Sequence, residues 1–230
     1  MLMTFDAVSY LSIVSPANAD RLLTIALTAL DVEMGEEPFL VAFAPIQIVA
    51  AGGFLAVSLL HNRDATSDID YVLDPEWSRD DEIKIPLQNA IDRVGEKLQL
   101  NKNWITEDIK LFATGSAKAS IFEGAEKQGI ILFSGDHLLI RAAPIEWALE
   151  TKLRRLYAGQ RGRKFDSDLS DAVAMLKYLK DKQGSMLDRT YIQNLNLNGF
   201  DLRPDNATME RVAAEYRKVY NEDVFVPLHI

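Results

Sequence analysis

The sequence predicts an α+β protein with a mixed-sheet core over residues 41–143 and a helical portion over 144–230, preceded by a helical extension over 1–40. Three observations carry this. Short apolar runs of strand length crowd the middle of the chain: Ile46 to Val49, Asp68 to Leu73, Ile109 to Phe112, Ile130 to Phe133 and His137 to Ala142. Apolar residues at helical spacing take over after Pro144. The uncharged run Phe39 to Leu60 is broken by Pro45 and Gly52-Gly53, as a buried strand followed by a buried helix would be.

The elements follow in order. Ala19 to Met34 reads as a helix, with Leu23, Leu27, Leu30 and Met34 on one stripe. Pro45 opens the strand Ile46 to Val49, and Gly52-Gly53 turns the chain into a helix from Phe54 to Leu60. Asp68 to Leu73 is a second strand, closed by Asp74-Pro75. Ile85 to Leu98 is an amphipathic helix. Ser134-Gly135-Asp136 reads as a hairpin turn into His137 to Ala142. Pro144 sits where a helix can start. Helices are predicted for Ile145 to Tyr157, Asp168 to Lys182 and Thr208 to Tyr220, the last capped by Asn206.

Composition narrows the function. With no cysteine, disulfides, thiolate metal sites and cysteine catalysis are excluded, and a cytoplasmic location fits. The three histidines, His61, His137 and His229, form no helical pair, which argues against zinc. A net charge of −9 disfavours general DNA or RNA binding. The first residues lack the basic start of a signal peptide. By length Phe39 to Leu60 could span a membrane, but its proline, glutamine and glycines favour the buried strand and helix. Trp104, Trp147 and Tyr178 sit in apolar patterns and are expected in cores, whereas Trp77 lies in a charged loop and reads as a surface contact.

The residues suited to chemistry are Gly52-Gly53 and Asp68-Ile69-Asp70. Positions two apart in a strand share a face, so Asp68 and Asp70 would present paired carboxylates while Ile69 and Tyr71 face the core. Paired carboxylates repel unless a cation sits between them. Magnesium takes oxygen ligands and bridges carboxylate to phosphate. Glycines ahead of a helix let backbone N–H groups approach a phosphate. Each motif alone is common; in strand–turn–helix–strand order they are more specific.

A second cluster follows. Lys152 lies at the edge of the stripe Ile145, Leu149, Leu153 and Leu156, where its ammonium either meets a carboxylate or phosphate or snorkels to water. Lys152, Arg154, Arg155, Arg161, Arg163 and Lys164 form a run with no acid, suited to a phosphate or to a solvated helix end. Asp168 and Asp171 stand one helical turn apart beside it, either bracing Arg161 or Arg163 or serving a site; Asp168 also fits a helix start.

Ala51-Gly52-Gly53-Phe54-Leu55-Ala56, then Arg63, Thr66 and Ser67-Asp68-Ile69-Asp70, resembles the signature of the polymerase-β-like nucleotidyltransferase superfamily, in the form found in toxin-type nucleotidyltransferases of abortive-infection systems. Lys152-Leu153, Arg161 or Arg163, and Asp168-Leu169-Ser170-Asp171 are similar to a later pattern of that group. The resemblance covers residues 48–180. It implies transfer of a nucleoside monophosphate from a nucleoside triphosphate to an RNA, protein or small-molecule acceptor, with Mg2+ on Asp68 and Asp70. It further implies nucleotide contacts from Gly52, Gly53, Arg63, Thr66, Ser67, Arg161 and Arg163, and catalytic roles for Asp68, Asp70, Lys152, Asp168 and Asp171. The superfamily usually adds a third carboxylate on a later strand. His137 to Ala142 offers none, leaving Asp136 and Asp108 as substitutes. The alternative is a non-catalytic relative that binds nucleotide or a protein partner.

Overall fold

The computed structural model describes residues 16–107, 115–159, 163–199 and 202–227. The chain divides into two compact units, residues 1–110 with 125–142 and residues 111–124 with 143–230. The strand candidate Ile109 to Phe112 lies outside the described residues.

The first unit is a five-stranded mixed sheet with helices. In order come α1 (Pro16–Met34), α2 (Pro38–Ala42), β1 (Ile46–Ala51), α3 (Gly52–Ser58), β2 (Ile69–Leu73), α4 (Asp81–Leu98), β3 (Ile105–Thr106), α5 (Gly115–Gln128), β4 (Ile131–Ser134) and β5 (Leu138–Ala142). The division between the units falls within α5. The sheet order is β3-β2-β1-β5-β4. β1 runs antiparallel to β2 and parallel to β5, β2 runs parallel to β3, and β4 runs antiparallel to β5. The mixed α+β class expected from the sequence is the one observed.

Strand periodicity sorts the sheet into two faces. Ile46, Ile48 and Ala50 of β1, Ile69, Tyr71 and Leu73 of β2, and Leu138 and Ile140 of β5 enter one apolar cluster. Leu23, Leu27, Leu30 and Met34 of α1 and Ile83, Leu87, Ile91 and Val94 of α4 pack into the same cluster. The segment read as an extension therefore supplies part of this unit's core. The opposite face carries Gln47, Val49 and Ala51 with Asp70 and Val72. The uncharged run is divided among α2, β1 and α3, and no helix among the described residues is long and apolar enough to cross a membrane.

The second unit holds α6 (Ile145–Tyr157), α7 (Arg163–Gln183), α8 (Arg189–Gln193) and α9 (Asn206–Tyr220). The cap of α9 is Asp205, whose carboxylate accepts from the Thr208 N–H at 2.7 Å, rather than Asn206. α7 starts at Arg163, so Asp168 lies in its second turn and is not the helix-start carboxylate of the sequence reading. Three helices, α2, α5 and α8, are absent from the sequence reading. The inward positions of α5 include Ala117, Ile121 and Ala125, a stripe built largely of alanine and hence faint in hydropathy. Trp77 is half-buried against the core with its ring 4.9 Å from that of Phe43, so it is not a free surface contact.

Two polar links tie the first unit together. Asp31, on α1 and 9% exposed, accepts from the N–H groups of Asp136 at 3.1 Å, His137 at 2.8 Å and Leu138 at 2.8 Å. It thereby fills the β4–β5 turn. A Cβ at Gly135 would stand 2.2 Å from that carboxylate, so the approach requires glycine there. Between α1 and α4, Glu33 binds Arg93 at 2.5 Å and Lys97, and Glu37 binds Arg93 at 2.6 Å. The Lys97 ammonium, helped by Arg93, holds Glu33 below the ordinary carboxyl value against the opposing effect of burial.

Asp31→Ala should orphan three backbone donors and lower unfolding stability by about 1–3 kcal/mol, read from urea midpoints at constant m-value. The Glu33 contribution is present in full above the ordinary carboxyl value of 4.5 and is lost as pH falls through the lower folded-state value. Glu33→Gln should therefore flatten the acid limb of the stability–pH curve, and an unchanged limb would remove Glu33 from the account.

Candidate functional site

β1 passes into α3 without a connecting residue, and the turn is made at Gly52, whose φ is +67°. An L side chain rarely adopts that value. Space forbids one as well: a Cβ on Gly52 would lie 2.6 Å from Oδ2 of Asp70. Asp70 faces Ala51 across the β1–β2 ladder, which brings its carboxylate to the Gly52 Cα. At Gly53 a Cβ would fall 2.1 Å from the Thr66 hydroxyl oxygen and 3.7 Å from Nη1 of Arg63. The two glycines thus let Asp70 and Thr66 close over the turn, with Arg63 beside them.

Thr66 links this turn to the other carboxylate. Its hydroxyl stands 3.2 Å from Oδ1 of Asp68 and 3.2 Å from the Asp68 carbonyl oxygen, both acceptors. Ile69 and Tyr71 are 0% and 6% exposed on the core side, which sets Asp68 and Asp70 toward the other face. Both carboxylates are half-buried. Six of the residues singled out in the sequence, Gly52, Gly53, Arg63, Thr66, Asp68 and Asp70, therefore meet at one end of β1. Ser67 lies exposed in the same loop.

The third carboxylate is another matter. β5 runs parallel to β1 with Leu138 opposite Ile46, so Asp136 lies beyond the far end of β1 from Gly52. The Asp136 substitution for a third acid is therefore incorrect, because the parallel register sends it to the wrong end of the sheet. Asp108 lies outside the described residues. β3 places Thr106 opposite Asp70. Among the described residues no group of three His, Cys, Asp or Glu side chains is arranged to hold a metal.

The second cluster belongs to the second unit. Lys152 Nζ lies 2.9 Å from Oδ1 of Asp168 and 2.7 Å from Oδ2 of Asp171. Arg155 reaches the other oxygen of Asp168 at 2.8 Å. Lys152, Asp168 and Asp171 are 5%, 1% and 0% exposed. The lysine is therefore drawn inward onto carboxylates and does not snorkel. Among the described residues, two cations thus meet two anions in this cluster. Arg163 opens α7, and Arg161 lies outside the described residues.

A neighbouring buried network has no counterpart in the sequence reading. Glu150 accepts from the Leu197 N–H at 2.5 Å and binds Arg154 at 2.5 Å, while Arg154 also reaches Asn196 at 3.0 Å and Asn198. Burial pushes the Glu150 carboxyl up despite these donors. Apart from the Glu150–Arg154 pair, one helical turn apart, the partners are separated by more than forty residues, beyond any helical or strand period.

Compared with protein-family models, with curated proteins and with solved structures, the chain matches none.

Lys152→Met should leave two buried carboxylates facing each other and destabilise the protein by about 3–5 kcal/mol in urea unfolding. Adding Asp171→Asn should return part of that loss. A single variant as stable as the parent would mean that the ammonium contributes nothing to the packing of α6 on α7.

Proposed function

We propose that this protein is a magnesium-dependent nucleotidyltransferase that moves a nucleoside monophosphate from a nucleoside triphosphate to an acceptor. The observation that supports it is the meeting of Asp68 and Asp70 with Gly52, Gly53, Thr66 and Arg63 at the end of β1. Paired carboxylates are the donor type that Mg2+ takes, and the glycine at position 52 keeps the approach to Asp70 clear of a Cβ, so these residues fit the ion. Asp68 and Asp70 would hold it, and when bound it supplies charge neutralisation to the reacting phosphate. Thr66 keeps the Asp68 carboxylate in orientation through its hydroxyl. Arg63, over Gly53, offers a planar donor set to phosphate oxygens.

Lys152, Asp168 and Asp171 take a different role in this reading. They are buried and bound to one another between α6 and α7, so they brace α7 on α6 rather than stabilise charge on a phosphate. The acceptor is an RNA, a protein hydroxyl or a small molecule; the toxin-type resemblance favours the macromolecules. A second reading, a non-catalytic protein of this fold that binds nucleotide or a protein partner, is favoured by one observation: the carboxylate pair has no third acid among the described residues.

Thermal unfolding separates the two. Magnesium with a nucleoside triphosphate should raise the melting temperature, since a ligand at about 100 times its Kd adds about 2.7 kcal/mol. In Asp70→Asn the magnesium-dependent part should shrink, while the variant without ligand stays folded or gains stability as carboxylate repulsion is relieved. No shift at millimolar magnesium and nucleotide would overturn the transferase reading.

A further inference from the structure

The sheet face that carries Asp70 also carries an arginine that pairs with no acid among the described residues. Arg141 of β5 stands opposite Val49 of β1, and Val49 stands opposite Val72 of β2. Residues in register share a face, and Asp70 lies two before Val72, so Arg141 and Asp70 lie on the same side of the sheet with the buried Val49 and Val72 between them. Their Cα atoms are roughly 12 Å apart, two strand spacings across and two residues along. Arg141 is half-buried, and Ile131, opposite it on β4, is exposed.

Among the described residues the Arg141 side chain has one polar partner: its Nε–H points to Oε1 of Gln47 at 3.4 Å. Asp74, beside Gln47 at the end of β2, turns its Oδ1 to the N–H of Glu76 at 2.9 Å instead. Other cations of the chain are differently served, since Arg93, Lys97, Lys152, Arg154 and Arg155 all bind carboxylates. In a chain of net charge −9, a half-buried guanidinium left with a neutral amide is notable. Its two terminal amino groups form a fork suited to two oxygens of one anion.

We propose that Arg141, steadied by Gln47, is a phosphate-binding subsite on the sheet face shared with Asp70. The identity of the anion rests on the nucleotide reading above; the presence of an anion site does not. Two sources carry the chemistry, the triphosphate tail of a donor nucleotide and the terminal phosphate of an acceptor.

Titration calorimetry without magnesium tests it, with inorganic tripolyphosphate in one arm and adenosine 5′-monophosphate in the other. Tighter binding of tripolyphosphate assigns the subsite to the donor tail, and tighter binding of the monophosphate to an acceptor end. Arg141→Gln should weaken the favoured ligand about tenfold or more, equivalent to losing one charge-assisted contact. Arg141→Lys should recover part of it, and Arg79→Gln, which removes the same charge from an exposed position, should leave it unchanged. Circular dichroism confirms that each variant is folded. Equal binding by Arg141→Gln and the parent, equal weakening by Arg79→Gln, or no binding of either probe by the parent would each overturn the proposal. Probe binding that depends on Arg141, together with no magnesium–nucleotide response, would sink the transfer reading and leave the subsite standing.

Discussion

The glycine at position 52 is the constraint on which the site depends. A buried strand turns into a helix there with no intervening residue, at a φ of +67°. Because the turn is so short, the end of β1 lies level with the Asp70 position of β2, and the carboxylate fills the space a side chain would need. Gly53 repeats the device one residue later for Thr66. The glycines thus serve close packing by the protein's own side chains, a use that the sequence alone does not distinguish from room for a phosphate.

The two charged clusters obey different physics. Around Gly52 the acids are half-buried and adjacent, with a hydroxyl and a guanidinium nearby, so part of their charge faces solvent or a ligand. Around Lys152 the ammonium and both aspartates are almost fully buried and bound to one another, so the cluster resists any change that removes one member. Both contain a basic residue and two aspartates, and both were singled out as chemical. Burial separates the two: the acids near Gly52 keep partial exposure, whereas Lys152 and its aspartates are sealed between two helices.

Much of this was legible because it is periodic. α6 begins and ends where the apolar stripe from Ile145 predicts, and the alternation through Ile69, Asp70 and Tyr71 places the acids off the core side. What escaped is what has no period. β3 has two residues, α5 turns an alanine-rich stripe inward, and Asp205 caps α9 one residue before the expected asparagine. Asp136 looked usable until the parallel register of β5 sent it to the far end of β1. Long-range polar partnerships such as Glu150 with Leu197 depend on the finished fold, and no local pattern announces them.

The Asp31 carboxylate has a consequence for how the first unit comes into being. The turn joining β4 to β5 has one hydrogen bond of its own, from the Gly135 N–H to the Leu138 carbonyl at 2.9 Å, and gives three further N–H groups to a carboxylate on a helix more than a hundred residues earlier. A hairpin closed by its own residues can form early and locally; this one is completed only when α1 has docked, so its closure belongs to the slow, long-range part of folding. The first helix is then a template for the last two strands of the sheet. Shortening the chain to residue 41 would remove the partner that gives the edge hairpin its shape, leaving an unfinished sheet rather than a smaller domain.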